Sequence, residues 1–279
     1  MNNLAQRVIT ALTLIAGLLS LLVWGSTQAL AGALFIVGLL AVWELWRLVQ
    51  VGSRGSLWVM WAVFAACAVQ LWVWNRQPGF EFVLFWILLG SGLVHTLASA
   101  WVLSRKPNLM NLLTGLYGAV YVSVVLYAVI QLHALGLWVL MSALLMVWAT
   151  DVGGYFFGKG LGGKFVKVGL APQISPKKSW EGAMGGVLLA MCVALGFYFS
   201  PLKAWVGQTS LVVCVLTFVL AFYSITGDLV ESLLKRQAGV KDSSQLLPGH
   251  GGILDRIDAL IPVLPLCAAW QVSTFLFIP

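Results

Sequence analysis

The residues best equipped for chemistry lie between Gly227 and Asp258, in a stretch reading GDLVESLLKRQAGVKDSSQLLPGHGGILDRID. It holds five of the nine carboxylates, four of the sixteen Lys and Arg side chains and one of the three histidines. Asp228, Glu231, Asp242, Asp255 and Asp258 offer hard oxygen ligands, the kind a divalent cation such as Mg2+ takes. Lys235, Arg236, Lys241 and Arg256 offer cations, and Gly249, Gly251 and Gly252 loosen the backbone around His250. Carboxylates for a metal, cations for phosphates and a pliable glycine turn are the parts that phosphoryl-group chemistry uses.

Spacing sharpens this reading. If a helix continues past Asp228, then Asp228, Glu231, Ser232 and Lys235 share one face at i, i+3, i+4 and i+7. Asp255 and Asp258 share another at i and i+3, where a following helix begins. Any one of these carboxylates alone reads as a helix-end residue favoured by the dipole. Two carboxylate faces bracketing a His-Gly-Gly turn, with four cations, read as a site.

A second polar stretch runs from Thr150 to Gly182. Gly158, Gly163 and Lys164 meet the spacing of a nucleotide-binding loop, but Phe165 stands where a hydroxyl should follow and no strand precedes it, so that motif is rejected. Further on, Pro176 restrains a turn, Lys177 and Lys178 follow it, and Ser179 with Glu181 marks a helix start. By charge alone the two lysines also fit a cytoplasmic flank. Asp151 sits at the end of an apolar run, where an exposed helix-end residue is the ordinary account.

These motifs have to be positioned by membrane helices. Apolar residues make up 61% of the chain and charged ones 9%, and mean hydropathy is +0.96, far above the globular norm of roughly 45–50% apolar. Continuous runs near the length of about 20 residues needed to cross a bilayer occur at Val8–Trp24, Ala29–Val49, Leu57–Trp74, Phe80–Leu103, Leu112–Leu132, Leu135–Thr150, Ala183–Phe199, Thr209–Ile225 and Ala259–Ile278. The fold class is therefore an all-α polytopic membrane protein of about nine spans, forming one integral membrane domain over residues 1–279. The catalytic motifs concentrate in 151–182 and 227–258. A barrel is excluded because the runs do not alternate with period two. No cleavable leader is evident, since the first run is as long as a span.

Nine spans place fourteen Lys and Arg side chains on one side and only Arg76 and Lys203 on the other. That asymmetry puts the N-terminus and both polar stretches in the cytoplasm and the C-terminus outside. The net charge of +7 calls for no nucleic acid, because anionic headgroups and phosphates attract the same cations. Cys67, Cys192, Cys214 and Cys267 fall within runs without metal-ligand spacing and read as packing residues. The fourteen tryptophans read as interfacial and lipid-facing bulk. Glu44 is expected to pair with Arg47 or Arg105, and His95 and His133 to pack. Pro262 and Pro265 should break the last run near the cytoplasmic surface.

The sequence resembles the phosphatidate cytidylyltransferases, also called CDP-diacylglycerol synthases. Their signature S-x-x-K-R-x(4)-K-D-x-S-x-x-L-P-x-H-G-G-x-x-D-R-x-D is met from Ser232 to Asp258 without a gap. Ser175-Pro176-x-Lys178-x-Trp180-x-Gly182 and Asp151-x-Gly153-x-Tyr155-x-x-Gly158 are similar to upstream motifs of that family, and Arg7 and Glu44-Leu45 fall where bacterial members have similar residues. Gly154, Lys159 and Ser179 depart from the common alanine, arginine and threonine, and Phe165–Gly169 is longer than in some relatives, which bears only on the shape of the first loop.

The resemblance implies that CTP and phosphatidic acid give CDP-diacylglycerol and pyrophosphate, for phospholipid biosynthesis, with Mg2+ as cofactor. It implies a two-metal centre, with a monovalent cation as second ion, at residues matching Asp228 and Asp255, with Glu231 and Asp258 beside them. Asp228, Asp255, Lys178 and Lys241 are then the catalytic set. Ser175, Lys177, Ser232, Lys235, Arg236, His250, Gly251, Gly252 and Arg256 are the substrate-binding set. A homodimer in the inner membrane, with its site facing the cytoplasm and its partners limited to CTP and lipids, completes the expectation. Two other classes stay open: a CTP-dependent lipid kinase, which would release CDP, and a transporter, which should carry its ionisable residues in mid-span.

Overall fold

The computed structural model describes residues 3–50, 52–200 and 209–277; Lys203 and the last two residues of the chain lie outside them. Every regular element among the described residues is a helix, as a chain of continuous apolar runs requires when its backbone polar groups must be satisfied within each segment. The helices are α1 (Asn3–Trp24), α2 (Thr27–Leu48), α3 (Arg54–Trp74), α4 (Phe80–Arg105), α5 (Leu112–Leu135), α6 (Leu137–Leu161), α7 (Trp180–Phe199), α8 (Ser210–Gln237), α9 (Leu254–Ile257) and α10 (Leu264–Phe277). Among the described residues seven of them, α2 to α8, are long and apolar enough to cross a membrane. Their outward faces carry large apolar side chains such as Trp58, Trp86, Leu97, Leu188 and Leu211.

Polar residues at the run ends set where the helices begin. Ser26, Ser53, Asn111, Ser179 and Thr209 each accept a hydrogen bond from the backbone N–H three residues on, a cap worth about 1 kcal/mol. Gly136, at φ 146°, makes the sharp joint between α5 and α6.

The core has two main parts, beside a small one where Ala194 of α7 meets Val213 of α8. One gathers α4, α5, α6 and α10 around Leu88, Ala128, Leu132, Leu140 and Leu264. The other joins α2, α3 and α5 to the cytoplasmic end of α8 through Val42, Leu45, Phe64, Leu233 and Leu234.

Helices α6 and α7 meet through glycine on both sides. A Cβ on Gly153 would stand 2.8 Å from the Gly185 oxygen, and one on Gly182 would stand 2.8 Å from the Gly154 oxygen. At these points the two backbones touch directly, with the Phe157 ring packed on Gly185 beside them, the arrangement small residues allow in membrane helices.

The last apolar run is broken as its prolines predict. α9 ends at Ile257, residues 258–263 form turns, and α10 starts at Leu264. Pro262 has no N–H to give to the Asp258 carbonyl, which instead lies against Gly227 of α8, where a Cβ would collide with it and with the Pro262 ring.

Candidate active site

Two loops and three helices converge at the polar end of α8. This helix runs unbroken past Asp228, so the predicted face exists: Ser232 Oγ donates to Asp228 Oδ1 at 3.1 Å, and the Lys235 ammonium bonds Glu231 one turn back. Lys235 also reaches across to Asp255 Oδ1 at 2.6 Å, tying the two carboxylate faces together. The Gly227 contact brings the Asp258 backbone against α8.

The first loop folds back on itself through two proline-led turns. Ile174 N–H and Ser175 N–H donate to the Ala171 oxygen, Lys178 N–H donates to the Ser175 oxygen, and Leu170 N–H donates to the Lys178 oxygen at 2.8 Å. The turn fixes Lys178 with its ammonium 2.6 Å from Asp228 Oδ2. Between α6, α7 and α8 this leaves a cleft of about 280 Å³ lined by Asp151, Tyr155, Lys177, Lys178, Ser179 and Asp228, with Gly154 and Gly182 at its floor. Lower down the same loop, the Glu181 carboxylate accepts from the N–H groups of Gly163, Phe165 and Val166 at 2.8–3.3 Å and holds that glycine-rich segment in one shape.

The second loop is closed around its glycines. Leu247–His250 is a turn with Pro248 second and Gly249 third at φ 75°, and His250 N–H donates to the Leu247 oxygen at 2.8 Å, as a type II turn needs. Gly251 has φ 81°, a conformation that costs any L side chain. Gly252 answers to a different need: a Cβ there would collide with Ser243 Oγ and both Glu44 carboxylate oxygens. Asp255 Oδ2 accepts from Gly252 N–H at 2.8 Å, Ser243 N–H at 2.9 Å and Ser243 Oγ at 2.9 Å. With Lys235 on Oδ1, four donors surround this carboxylate.

The expected residues thus separate into two groups. Lys178, Asp228 and Ser232 form one contact chain and Glu231, Lys235 and Asp255 another, with Asp258 near enough to feel the charge of Asp228 and to act on Glu231. Gly251, Gly252 and His250 shape the turn beside them, and Ser175 serves the proline turn with its carbonyl. Arg256 spends its guanidinium on the His250 carbonyl, with Nη2 at 2.6 Å and Nε at 3.1 Å, and Arg236 Nη1 bonds the Val240 oxygen at 3.3 Å. Lys177 and Lys241 are exposed at the rim.

Two residues escaped sequence reasoning. Asp151 lines the cleft opposite Lys178 rather than simply ending a helix. Glu44 was expected to pair with Arg47 or Arg105, and that is corrected by the structure. Arg47 stacks over Trp43 with 4.9 Å to the ring, whereas Glu44 is fully buried and accepts hydrogen bonds from Ser243, Ser244, Ile253 and Leu254. A lone acid about three-quarters of the way along an apolar run was the available signal, but its partners lie about 200 residues on.

Electrostatics follow from crowding. Burial pushes the Asp258 carboxyl above the ordinary carboxylate range, and the charge of Asp228 pushes the same way. At Asp255 burial also pushes upward, but the hydrogen bonds from Lys235, Gly252 N–H and Ser243 N–H outweigh it and hold the group low. Glu231 Oε1 is buried with no hydrogen-bond partner among the described residues. Hard oxygens in excess of cations, one of them orphaned, fit a divalent metal in donor type and charge. Among the described residues no three such side chains already stand as a closed cage.

The whole chain has relatives. Residues 5–273 match the cytidylyltransferase family. The phosphatidate cytidylyltransferase of Haemophilus influenzae is 34% identical over 94% of this chain and 96% of its own length. That of Pseudomonas aeruginosa is 37% identical over 95% and 96%, and that of Staphylococcus haemolyticus 33% identical over 93% and 96%.

Proposed function

The chain belongs to the cytidylyltransferase family, and from that premise we propose that it transfers CMP from CTP to phosphatidic acid, giving CDP-diacylglycerol and pyrophosphate. One observation carries the reading beyond the family: the Lys178–Asp228 cleft opens among membrane helices α6, α7 and α8. A phosphate-bearing lipid can reach that site without leaving the bilayer surface.

In the reaction a phosphate oxygen of the lipid bonds to the α-phosphorus of CTP, and the bond from that phosphorus to the β-phosphate bridging oxygen breaks. A phosphomonoester has a second pKa near about 6, so at neutral pH the attacking oxygen carries no proton and needs no base. What the protein must supply is charge neutralisation and alignment of two anions. Lys178 stands in the cleft for the lipid phosphate, with Ser175 and Lys177 at its turn. Lys241 from the second loop would meet the triphosphate, joined by Lys235 and Arg236 at the end of α8 and Arg256 of α9 as they exchange their present partners for phosphate oxygens, with Ser232 on the α8 face, and the His250-Gly251-Gly252 turn lets backbone approach it. Asp228, Glu231, Asp255 and Asp258 would hold Mg2+, with a monovalent cation as the second ion, and the metal would supply charge to the leaving pyrophosphate. Lys178 and Lys235 keep those carboxylates apart and oriented.

The decisive experiment incubates the purified protein with labelled CTP, Mg2+ and phosphatidic acid. One pyrophosphate per CTP and a CDP-linked lipid are expected, and CDP release would move the protein to the lipid kinases. Lys178→Ala should lower turnover about 10- to 100-fold, the scale of a charged hydrogen bond worth about 1.5–3 kcal/mol.

We place this site on the cytoplasmic face of the inner membrane, with nine spans, the N-terminus inside and the C-terminus outside, in a homodimer. Basic asymmetry supports the orientation. Single cysteines at the exposed positions Lys164, Gln245 and Gln77, in a background lacking the four native cysteines, test it. An impermeant thiol reagent on intact cells should label Gln77→Cys alone. Labelling of Gln245→Cys would reverse the orientation and remove the site from cytosolic CTP.

A further inference from the structure

We propose that Glu44 is a positioning residue for this reaction: a buried carboxylate on α2 that sets the shape of the 243–254 loop and, through Ser243, the aim of Asp255. The proposal rests on the cytidylyl-transfer reading, which supplies the activity to be measured.

Glu44 has no exposed surface. Its Oε1 accepts from Ser244 Oγ at 2.6 Å and Ile253 N–H at 2.9 Å. Its Oε2 accepts from Ser243 Oγ at 2.9 Å and Leu254 N–H at 2.7 Å. Three of these donors belong to Glu44 alone and the fourth, the Ser243 hydroxyl, also stands within reach of Asp255, and no Lys, Arg or His among the described residues forms an ion pair with Glu44. A buried charge stabilised by hydrogen bonds alone is costly to keep unless every donor is in place. The loop can therefore close on Glu44 in one arrangement only.

The donors show what that arrangement controls. Ser243 and Ser244 enter the loop, Ile253 and Leu254 leave it, and the proline and glycine turn lies between. Pinning both ends to one side chain on a packed helix fixes the turn as a unit; Ala41, Val42, Leu45 and Leu48 around Glu44 are themselves buried. Gly252 is shaped to the same contact, since a Cβ there would strike both Glu44 oxygens. Ser243 Oγ has one hydrogen yet stands 2.9 Å from both Glu44 Oε2 and Asp255 Oδ2. Glu44 and Asp255 thus compete for one proton donor, and moving one moves the other. This makes the N-terminal half of the chain part of the site's machinery as well as its membrane support.

Glutamine is the informative replacement. It keeps the size of Glu44 but puts an amide NH2 where a carboxylate oxygen now faces a backbone N–H, setting donor against donor. The test uses full-length wild type, Glu44→Gln, Glu44→Asp and Ser243→Ala, each corrected for folded protein. The measured quantities are kcat, KM for CTP, the Mg2+ concentration for half-activation, and backbone hydrogen exchange across 243–254. Glu44→Gln is expected to raise the Mg2+ requirement and the KM for CTP by about tenfold or more, a misplacement-scale effect, and to speed exchange within the loop above the rest of the chain. Glu44→Asp should recover part of each change. If Glu44→Gln does not fold, Ser243→Ala alone decides, because it removes the hydroxyl shared between Glu44 and Asp255 while keeping the residue-243 N–H bond to Asp255 and three of the Glu44 hydrogen bonds; its Mg2+ requirement should rise. A loss in kcat that only tracks the folded fraction, with KM, metal requirement and loop exchange unchanged, would overturn the proposal. Failure of the wild type to make CDP-diacylglycerol would sink the proposed reaction instead, leaving the exchange result to judge Glu44.

Discussion

Asp228→Asn is expected to lower turnover by on the order of 100-fold or more, the scale of losing one electrostatic group that acts in the transition state, while leaving the melting temperature nearly unchanged. Asp228 is partly exposed, and its contacts are the Lys178 ammonium and the Ser232 hydroxyl. Asparagine can keep its one oxygen toward Lys178 and donate its NH2 to the Ser232 hydroxyl, which can accept, so a residue that only ties α8 to the first loop would survive the change. If its charge instead helps hold a metal, removal weakens a hard oxygen site, and raised Mg2+ or Mn2+ should recover part of the activity. Asp255→Asn should behave differently. Asparagine has one accepting oxygen for the two N–H groups and one hydroxyl now served by Asp255 Oδ2, and its NH2 would face the Lys235 ammonium. Leaving a buried donor unpaired costs about 1–3 kcal/mol, so this variant should lose both activity and melting temperature. Near-normal turnover in both variants at matched folding would remove the metal role.

Gly186→Val should be strongly destabilising. A Cβ at Gly186 would fall inside contact distance of the Thr150 carbonyl oxygen and 3.2 Å from Gly154 N, both backbone atoms that cannot swing aside. Overpacking costs about 1–3 kcal/mol even when side chains can adjust. At the upper end that is a fall of about 5–10 °C in melting temperature for a chain of this size, and it should come with a large loss of activity, because Thr150 and Gly154 adjoin Asp151 in the cleft. Gly196 on the same helix provides the control. It is exposed with nothing within 4 Å of a built Cβ, so Gly196→Ala should not lower the melting temperature. Equal melting temperatures for the two variants would mean that the α6–α7 seam is looser than its geometry.

Features encoded locally were readable in the chain. Continuous apolar runs gave the long helices, Ser179 gave the start of α7, and Pro262 with Pro265 gave the break after α9. The α8 face was readable because its residues sit one helical turn apart. Features created by distant contacts were not. Glu44 could be seen as a buried acid but not matched to donors about 200 residues away. Arg236 and Arg256 looked like free cations, yet each reaches a nearby carbonyl, because whether a guanidinium turns outward or back onto its own loop depends on turn geometry. The roles of Gly153, Gly182 and Gly186 were not readable either, because the need for close approach of α6 and α7 shows only once the two helices are packed together.

That close approach also constrains motion. Packed helices shear by small sliding movements, and backbone held against backbone at Gly153, Gly182 and Gly186 leaves little room to slide. α6 and α7 should therefore travel as a single plate, carrying Asp151 and Lys178 together at a fixed separation. A bulky two-tailed lipid entering or leaving the cleft is expected to leave this pair together. Opening along the plate's other border, against α8, is the expected route, and it would pull Lys178 off Asp228. Substrate exchange and disassembly of the charge cluster would then be one movement, so the cluster completes itself only when the doorway shuts.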